Sequence, residues 1–229
     1  MKHKLVSVGL FASLAAIAFA QDKTAGRMEI ALEKKEGSVA RRADPRHVFQ
    51  AGDLVRFRYR PNFSGYLYVL NHSTSGKYTV LFPTGETGTQ NRLEAGQEYL
   101  LPSTESGWFR IEGPAGHEVV YWLVTPAALE NSASAAMPLP IPVPLSGPPP
   151  AGMTPRCDDT VFRARGDCID TNAGPRPVAR GEKLPEGLSA LPEAGARDLV
   201  FIRKQQLTLV SAPEMFTGPM IYEFALAHK

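Results

Sequence analysis

The residues of this chain that could take part in catalysis are few, and their spacing does not favour a reaction. Beyond the first twenty residues the histidines are His47, His72, His117 and His228. None belongs to a His-x-x-x-His pair, the spacing that places two metal ligands on one helix face. The chain also has no Gly-x-Ser-x-Gly nucleophile elbow and no glycine-rich phosphate loop. We therefore predict no catalytic residue, no metal site and no cofactor, and expect that the protein is not an enzyme.

One catalytic hypothesis stays open. A Ser/His/Asp triad can assemble from positions far apart in a sequence, so a hydrolase with a dispersed site is compatible with this chain. Such a site would use His72, Ser73 and His117. His72 and Ser73 also fall in a predicted turn, where both residue types commonly bond to the local backbone.

The only cysteines are Cys157 and Cys168. In an exported protein, two cysteines at this separation predict a disulfide. The alternative is a metal site that adds Asp158, Asp159 or Asp167 to the two sulfurs. It is disfavoured because no second cysteine pair and no neighbouring histidine completes a usual ligand set.

Residues 1–20 have the three parts of a secretory signal peptide. Lys2 to Lys4 form a basic start, 5–17 are mostly apolar, and Ala18-Phe19-Ala20 is a small-x-small cleavage site. The apolar run is too short for a comfortable membrane span. We therefore expect cleavage after Ala20, a secreted or periplasmic protein, and no transmembrane span in the mature chain. An uncleaved N-terminal anchor is the alternative.

Removing the signal peptide changes the charge balance. The complete chain carries 25 Lys+Arg and 23 Asp+Glu, and cleavage after Ala20 removes two lysines and no acid. The mature chain therefore balances at 23 basic and 23 acidic residues. A balanced chain argues against nucleic acid or anionic lipid as the main partner, since both require a basic excess.

The elements that must position any site are β-strands. Alternation over 54–60 places Arg56, Arg58 and Arg60 on one strand face and apolar side chains on the other. This basic stripe is either a solvated sheet face or an anion site. Together with Tyr66 and Tyr68 of the next strand, it is the candidate ligand face that the sequence offers.

The remaining pattern predicts an all-β fold, an antiparallel β-sandwich of immunoglobulin-like or related architecture. Segments 54–60, 66–70 and 78–82 indicate a three-stranded antiparallel meander joined by two glycine-bearing turns. The charged stretch 34–46 lacks apolar periodicity and is predicted to be a loop. The other predicted strands cover 27–33, 99–101, 108–112, 118–124, 199–202, 207–210 and 220–224.

Changes in composition divide the chain into four parts. After the signal peptide, 21–126 forms the main part of the sandwich, and 127–197 is a Pro/Gly-rich insert that contains Cys157 and Cys168. Within it, 137–155 has eight prolines in nineteen residues, which favours an extended polyproline II spacer. Residues 198–229 are predicted to dock back onto the same domain, because a lone hairpin is marginally stable in water.

Several short motifs in residues 45–125 resemble the bacterial family known as domain of unknown function 4384. They are Phe49-x-x-Gly52-Asp53, Gly65-Tyr66-Leu67-Tyr68-Val69-Leu70, Leu81-Phe82-Pro83, Asn91-Arg92-Leu93-x-Ala95-Gly96, Pro102 and Phe109-Arg110-Ile111-x-Gly113-Pro114-x-Gly116. Residues 218–228 are similar to the tail of acidobacterial members. The resemblance implies a β-sandwich-like domain on secreted or envelope proteins, without established catalytic residues.

These observations favour a non-catalytic interaction module of the cell envelope, which binds another protein or a cell-wall component. A carbohydrate-binding domain that uses Tyr66, Tyr68 or Trp108 as a stacking face is the first alternative. It requires those rings to be exposed to solvent. The hydrolase with a dispersed site is the second alternative.

Overall fold

The structure, a computed structural model, describes residues 25–104, 107–129, 154–178, 199–204, 206–212 and 218–229. In chain order the elements are β1 (Arg27–Glu36), β2 (Val39–Ala43), β3 (Leu54–Pro61), β4 (Gly65–His72), β5 (Tyr78–Phe82), β6 (Arg92–Leu93), β7 (Tyr99–Leu101), β8 (Phe109–Arg110), β9 (Gly116–Thr125), α1 (Asp159–Arg165), β10 (Gly174–Pro177), β11 (Val200–Lys204), β12 (Leu207–Ser211) and β13 (Met220–His228).

The strands form two antiparallel sheets that pack face to face, which confirms the predicted all-β sandwich. The first sheet has the order β11-β12-β1-β3-β7, with β2 paired to β1 and β8 paired to β3. The second has the order β10-β13-β9-β4-β5, with β6 paired to β4. Both sheets therefore combine strands from before residue 126 with strands from after residue 199.

The main core lies between the sheets and is built from alternate residues of each strand. From the first sheet, Phe57 and Tyr59 point inward, and both contact Trp122 of the second sheet edge to face. Trp122 is completely buried and stacks on Tyr222 with 6.0 Å between ring centroids. Aromatic pairs of this kind add to the free energy gained from area burial alone. Trp122 therefore links the two sheets through the main core.

A second apolar cluster covers the outer face of the second sheet. Tyr68, Leu70, Tyr121, Leu123 and Ile221 are buried there, on the side of their strands that faces away from the main core. Strands β4, β9 and β13 are consequently buried on both faces. That is the physical reason for their nearly continuous apolar sequences.

The meander prediction for the first three central strands was wrong. β4 and β5 pair as expected, but β3 pairs with β1, β7 and β8 in the opposite sheet. The turn after Pro61 therefore carries the chain from one sheet to the other. A hairpin and an inter-sheet crossing can use the same turn residues, and both sheets bury apolar faces, so local alternation did not distinguish them.

The loop prediction for 34–46 was also wrong. β1 continues to Glu36 and turns through Gly37, whose φ is +60°, into β2. This hairpin extends beyond the core, and most of its residues are exposed. A hairpin with polar residues on both faces has no apolar period, and the sequence prediction for 34–46 depended on that period.

Residues 47–53 connect the C-terminal end of the chain to β1. Phe49 N donates to Ala227 O at 2.9 Å, and Lys229 N donates to Phe49 O at 3.0 Å. Gly52 adopts a φ of +89°, a left-handed conformation that favours glycine. The Asp53 carboxylate then accepts hydrogen bonds from Lys34 Nζ at 2.6 Å and Gln50 N at 2.9 Å. The Phe-x-x-Gly-Asp motif thus has a structural role.

Two sequence predictions fall on residues that the structure does not describe. The signal peptide at 1–20 lies outside the described residues, and so does most of the Pro-rich segment at 137–155. Among the helices of the described residues, none is long and apolar enough to cross a membrane.

Candidate interaction surface

The arginine stripe of β3 lies on the outer face of the first sheet, and its charges are matched by acids. Arg56 Nε and Arg58 Nε each donate to a different oxygen of Glu33, both at 2.7 Å. Arg60 donates to Glu29 at 2.8 Å. Arg58 also donates to Glu98 at 2.5 Å. The stripe is therefore an ion-pair ladder rather than a set of free cations.

Glu33 is the centre of that ladder. Burial alone would raise the pKa of Glu33, but the hydrogen bonds from Arg58 and Arg56 outweigh it and hold the pKa below its ordinary value. The same hydrogen bond to Glu33 raises the pKa of Arg58. Glu29, Glu33 and Glu98 together match the three arginines in charge, which leaves little positive potential for an external anion.

The aromatic residues of the candidate ligand face are largely covered. The Tyr68 ring is buried in the outer cluster of the second sheet, and its hydroxyl accepts a hydrogen bond from Leu129 N at 3.1 Å. Tyr66 is half-buried beside the same cluster. Trp108 is half-buried, and the Arg56 guanidinium lies over its ring at 4.4 Å. A sugar could not reach the Tyr68 ring, and Arg56 already occupies the Trp108 face. Tyr66 also lies on the opposite sheet from the arginine stripe, so the structure does not bring the candidate face together.

The residues of the hydrolase hypothesis do not form a triad in the described part of the chain. Ser73 Oγ bonds to Ser75 Oγ at 2.7 Å and accepts from Lys77 N at 3.2 Å. His72 stacks on Tyr78 with 4.1 Å between centroids, and burial lowers the pKa of His72. His117 Nε2 lies 3.2 Å from Asp170 Oδ2. The last contact is a His–Asp pair, but no hydroxyl nucleophile among the described residues bonds to it.

A second histidine and carboxylate lie at the same end of the sandwich, the histidine fully buried and the carboxylate partly buried. His228 is completely buried, and its Nε2 is 3.6 Å from Glu118 Oε1. Burial alone would raise the pKa of Glu118, but the His228 contact and the hydrogen bond from Asn71 at 2.6 Å hold it below its ordinary value. Because solvent cannot reach His228, we read this pair as part of the fold.

Cys157 and Cys168 form a disulfide, with 4.6 Å between their Cα atoms. The bond closes a loop that contains helix α1. Asp158 caps this helix by accepting hydrogen bonds from Thr160 N and Val161 N, and Gly166 ends it at a φ of +72°. In the part of the chain that the structure describes, no group of three or more His, Cys, Asp or Glu could hold a metal ion.

The sequence analysis missed an apolar surface at the edge of the first sheet. Four large apolar side chains of the described residues are exposed, and two of them belong to the edge strand β11: Val200 at 51% and Ile202 at 42%. Leu207 and Leu209 of β12 are half-buried on the same outer face. The register places Ile202 beside Leu209. We call Val200, Ile202, Leu207 and Leu209 the edge patch.

The direction of these side chains follows from the strands beneath them. Val210 of β12 is completely buried, and Phe201 of β11 packs against the main core. Their neighbours Val200, Ile202 and Leu209 must therefore point outward, because side chains alternate along a strand. All four residues of Leu199-Val200-Phe201-Ile202 are apolar. Because side chains alternate between the two faces of a strand, two of them face solvent unless another element covers that face. That continuous run was the signal that sequence analysis could have used.

Basic residues adjoin the edge patch. β11 ends in Arg203 and Lys204, both exposed, and β12 begins after Gln206. Partial burial and then the neighbouring Arg46 guanidinium lower the pKa of Arg203. A cleft of about 310 Å³ beside the β11–β12 turn is lined by basic and acidic residues alike, among them Arg41, Arg42, Asp44 and Asp167. The basic character of the end of β11 therefore comes from Arg203 and Lys204 themselves.

The comparisons with known proteins agree with the sequence resemblance. Residues 48–128 match the model of the family described as Domain of unknown function (DUF4384). This span begins at the Phe49 segment and ends after β9, so it excludes β1 and all strands that follow the insert. No curated protein and no solved structure matches the chain. Residues 48–128 thus resemble this family of unknown function, and the fold around them is completed by strands from outside the matched span.

Proposed function

We propose that this chain is an exported, non-catalytic binding module of the bacterial cell envelope, and that its partner is another protein. The observation that carries the proposal is the edge patch. A strand at the edge of a sheet offers unpaired backbone groups, and stable proteins usually protect such a strand with charge, proline or a covering element. The edge strand β11 carries charge only at its end, in Arg203 and Lys204, and its first part exposes Val200 and Ile202.

Two further observations support this reading. The disulfide between Cys157 and Cys168 is of the kind that persists in oxidising compartments outside the cytosol. The arginine stripe is neutralised by its own acids, which removes the other surface that the sequence offered for a ligand. A protein partner fits an apolar patch next to a strand edge better than a polar cell-wall polymer does.

The test is site-specific photo-crosslinking in living cells. A photoreactive amino acid placed at Ile202 is expected to give a discrete crosslinked product in the envelope fraction. The matched control places it at Arg92, an exposed residue of β6 in the other sheet. Adding Val200→Lys to the protein that carries the photoreactive group at Ile202 should abolish the product. Equal products from both positions, or no product from Ile202, would contradict the proposal.

A deletion separates the edge patch from the Pro-rich segment as the binding element. Removing residues 138–150 should leave the Ile202 product in place if the segment is a spacer. Loss of the product, in a variant that still melts at the wild-type temperature, would move recognition to the segment. Cell fractionation and N-terminal sequencing test export separately, and we expect a mature chain that begins at Gln21.

A further inference from the structure

We propose that the edge patch binds by strand addition, and that the partner segment is extended, with two acidic residues followed by three apolar β-forming residues. The proposal rests on the proposed function, because it names the partner chemistry of the same surface. In strand addition, backbone hydrogen bonds supply affinity, and the side chains on each face supply specificity.

Among the described strands, β11 is an edge strand with one neighbour. Among the described strands β11 pairs only with β12, through all five of its residues from Val200↔Ser211 to Lys204↔Leu207. The backbone groups on its other side are therefore not used by a described strand. β11 contains no proline and no glycine, so each of its residues can both donate and accept.

The order of side chains along β11 sets the chemistry of the partner. Val200, Phe201 and Ile202 are apolar, and Arg203 and Lys204 are basic. Residues directly opposite each other in paired strands lie within contact distance, and opposite charges there are favourable. A strand added to β11 is therefore best matched by apolar residues across from 200–202 and by acids across from 203–204.

Two acids near the basic end of β11 are already paired. Glu36 pairs with Arg41 at 2.9 Å and Asp44 with Arg46 at 3.4 Å. The charge of Asp44 also raises the pKa of Arg203, but burial and the Arg46 charge outweigh this effect. Acids from a partner would add counter-charges opposite Arg203 and Lys204.

The pairing direction is antiparallel. Every strand pair within the two sheets of this protein is antiparallel, and antiparallel ladders are slightly more stable per residue than parallel ones. An antiparallel segment meets Lys204 first and Val200 last. Its acids therefore precede its apolar residues in sequence.

The experiment measures binding of synthetic peptides to the mature full chain, residues 21–229, by fluorescence anisotropy. The first probe is a labelled, terminally capped peptide with the order glutamate, glutamate, valine, isoleucine, valine. The second replaces both glutamates by lysine. We expect the acidic peptide to bind about tenfold more tightly, a difference of about 1.4 kcal/mol. We also expect Lys204→Glu to reverse the preference, whereas Arg92→Glu leaves it unchanged.

N-methylation of the acidic peptide tests strand pairing itself. Alternate backbone N–H groups of a strand point to opposite edges, so two complementary methylation patterns block opposite edges. One pattern should abolish binding, and the other should retain it. Equal binding of both patterns, or equal affinity for the acidic and basic peptides, would overturn the proposal.

The crosslinking experiment tests the proposed function separately from the peptide experiments. Suppose that Val200→Lys abolishes the Ile202 crosslink in cells, but the acidic and basic peptides bind equally and both methylation patterns bind equally. The surface then binds its partner in another way, and only the strand-addition inference fails. If the crosslink is also absent, both fail.

Discussion

Glu33 lies buried on the outer face of the first sheet, between the guanidinium groups of Arg56 and Arg58. The sequence placed the arginines on one face of β3, but it did not show which acids lie across from them. Glu33 reaches them because β1 pairs with β3 in a register that sets Glu33 beside Arg56. Charge-assisted hydrogen bonds of this kind stabilise more than neutral ones do.

We therefore expect Glu33→Gln to destabilise the protein by about 1–3 kcal/mol, since it leaves two partly buried guanidinium groups without their carboxylate. Urea unfolding followed by fluorescence measures this change. Glu29→Gln is the matched control, because its partner Arg60 is exposed. That change should cost no more than about 1 kcal/mol. Equal effects of the two substitutions would contradict the conclusion that Glu33 stabilises the fold more than Glu29 does.

The pH dependence of stability follows from the same group. The pKa of Glu33 is lower in the folded protein than its ordinary value near 4.5. Its contribution is therefore complete above that value, and it is lost as the pH falls through the folded pKa. As the pH falls below about 4.5, the wild-type free energy of unfolding should fall more steeply than that of Glu33→Gln. Parallel curves for the two proteins would exclude Glu33 as a source of the acid dependence.

At the scale of elements, the disulfide loop connects helix α1 to the strands around it. Val48 N donates to Cys168 O at 2.9 Å, and Asp170 N donates to Arg46 O at 2.9 Å. The loop therefore holds the segment that leads into the Phe49 motif. The pairing of the cysteines was predictable from their number and the expected compartment, but these backbone contacts were not.

Replacing both cysteines, by Cys157→Ser with Cys168→Ser, should lower the free energy of unfolding by about 3 kcal/mol on the chain-entropy account of a loop this short. Thermal unfolding measures the effect. A reductant should lower the wild-type melting temperature and leave that of the double variant unchanged. If the reductant has no effect on the wild type, the bond does not contribute to stability.

Gly88 marks a close approach between two loops. It has a φ of +117°, and a Cβ at this position would lie 1.8 Å from Ser103 Oγ and 3.1 Å from Ser103 Cβ. Gly88→Ala is therefore expected to destabilise by about 1–3 kcal/mol. Gly85→Ala in the same loop is the control, since a Cβ there meets nothing within 4 Å. Chemical denaturation of both variants compares them, and a neutral Gly88→Ala would contradict the packing at Ser103.

Most strands of the matched region could be predicted from the sequence, for a definable reason. The predicted strand at 78–82 coincides with β5, and the one at 66–70 lies inside β4, because both segments bury a continuous or alternating apolar face. The β1–β2 hairpin could not be predicted in the same way, since its polar residues face solvent on both sides. The candidate site was predicted poorly. The arginine stripe was found, but its neutralisation and the edge patch depend on neighbours that are distant in sequence.

At the scale of the whole molecule, the strands that follow the insert belong to both sheets. β12 pairs with β1, and β13 lies between β9 and β10 in the second sheet. All nine residues of β13 are buried. The span that matches the family model contains neither β1 nor β13, so this span alone would expose apolar faces of both sheets.

A truncated chain of residues 21–126 should therefore fail to fold cooperatively, because it lacks β12, β13 and their share of the main core. Size-exclusion chromatography and thermal unfolding test this expectation. The control is the truncated chain mixed with a separate peptide of residues 199–229, which should recover part of the cooperative transition. A truncated chain that melts near the wild-type temperature on its own would contradict the contribution of β13.

The sequence by itself determined the all-β class, the alternation of β3, the cysteine pair and the resemblance over 45–125. These follow from local periodicity and from short motifs, which depend on near neighbours along the chain. Only the tertiary structure decided that β3 and β4 belong to opposite sheets, that Glu29, Glu33 and Glu98 neutralise the arginine stripe, and that β11 exposes apolar residues at a sheet edge. Each of these depends on which strand lies beside which, and strand pairing is set by the burial of whole faces rather than by any one segment.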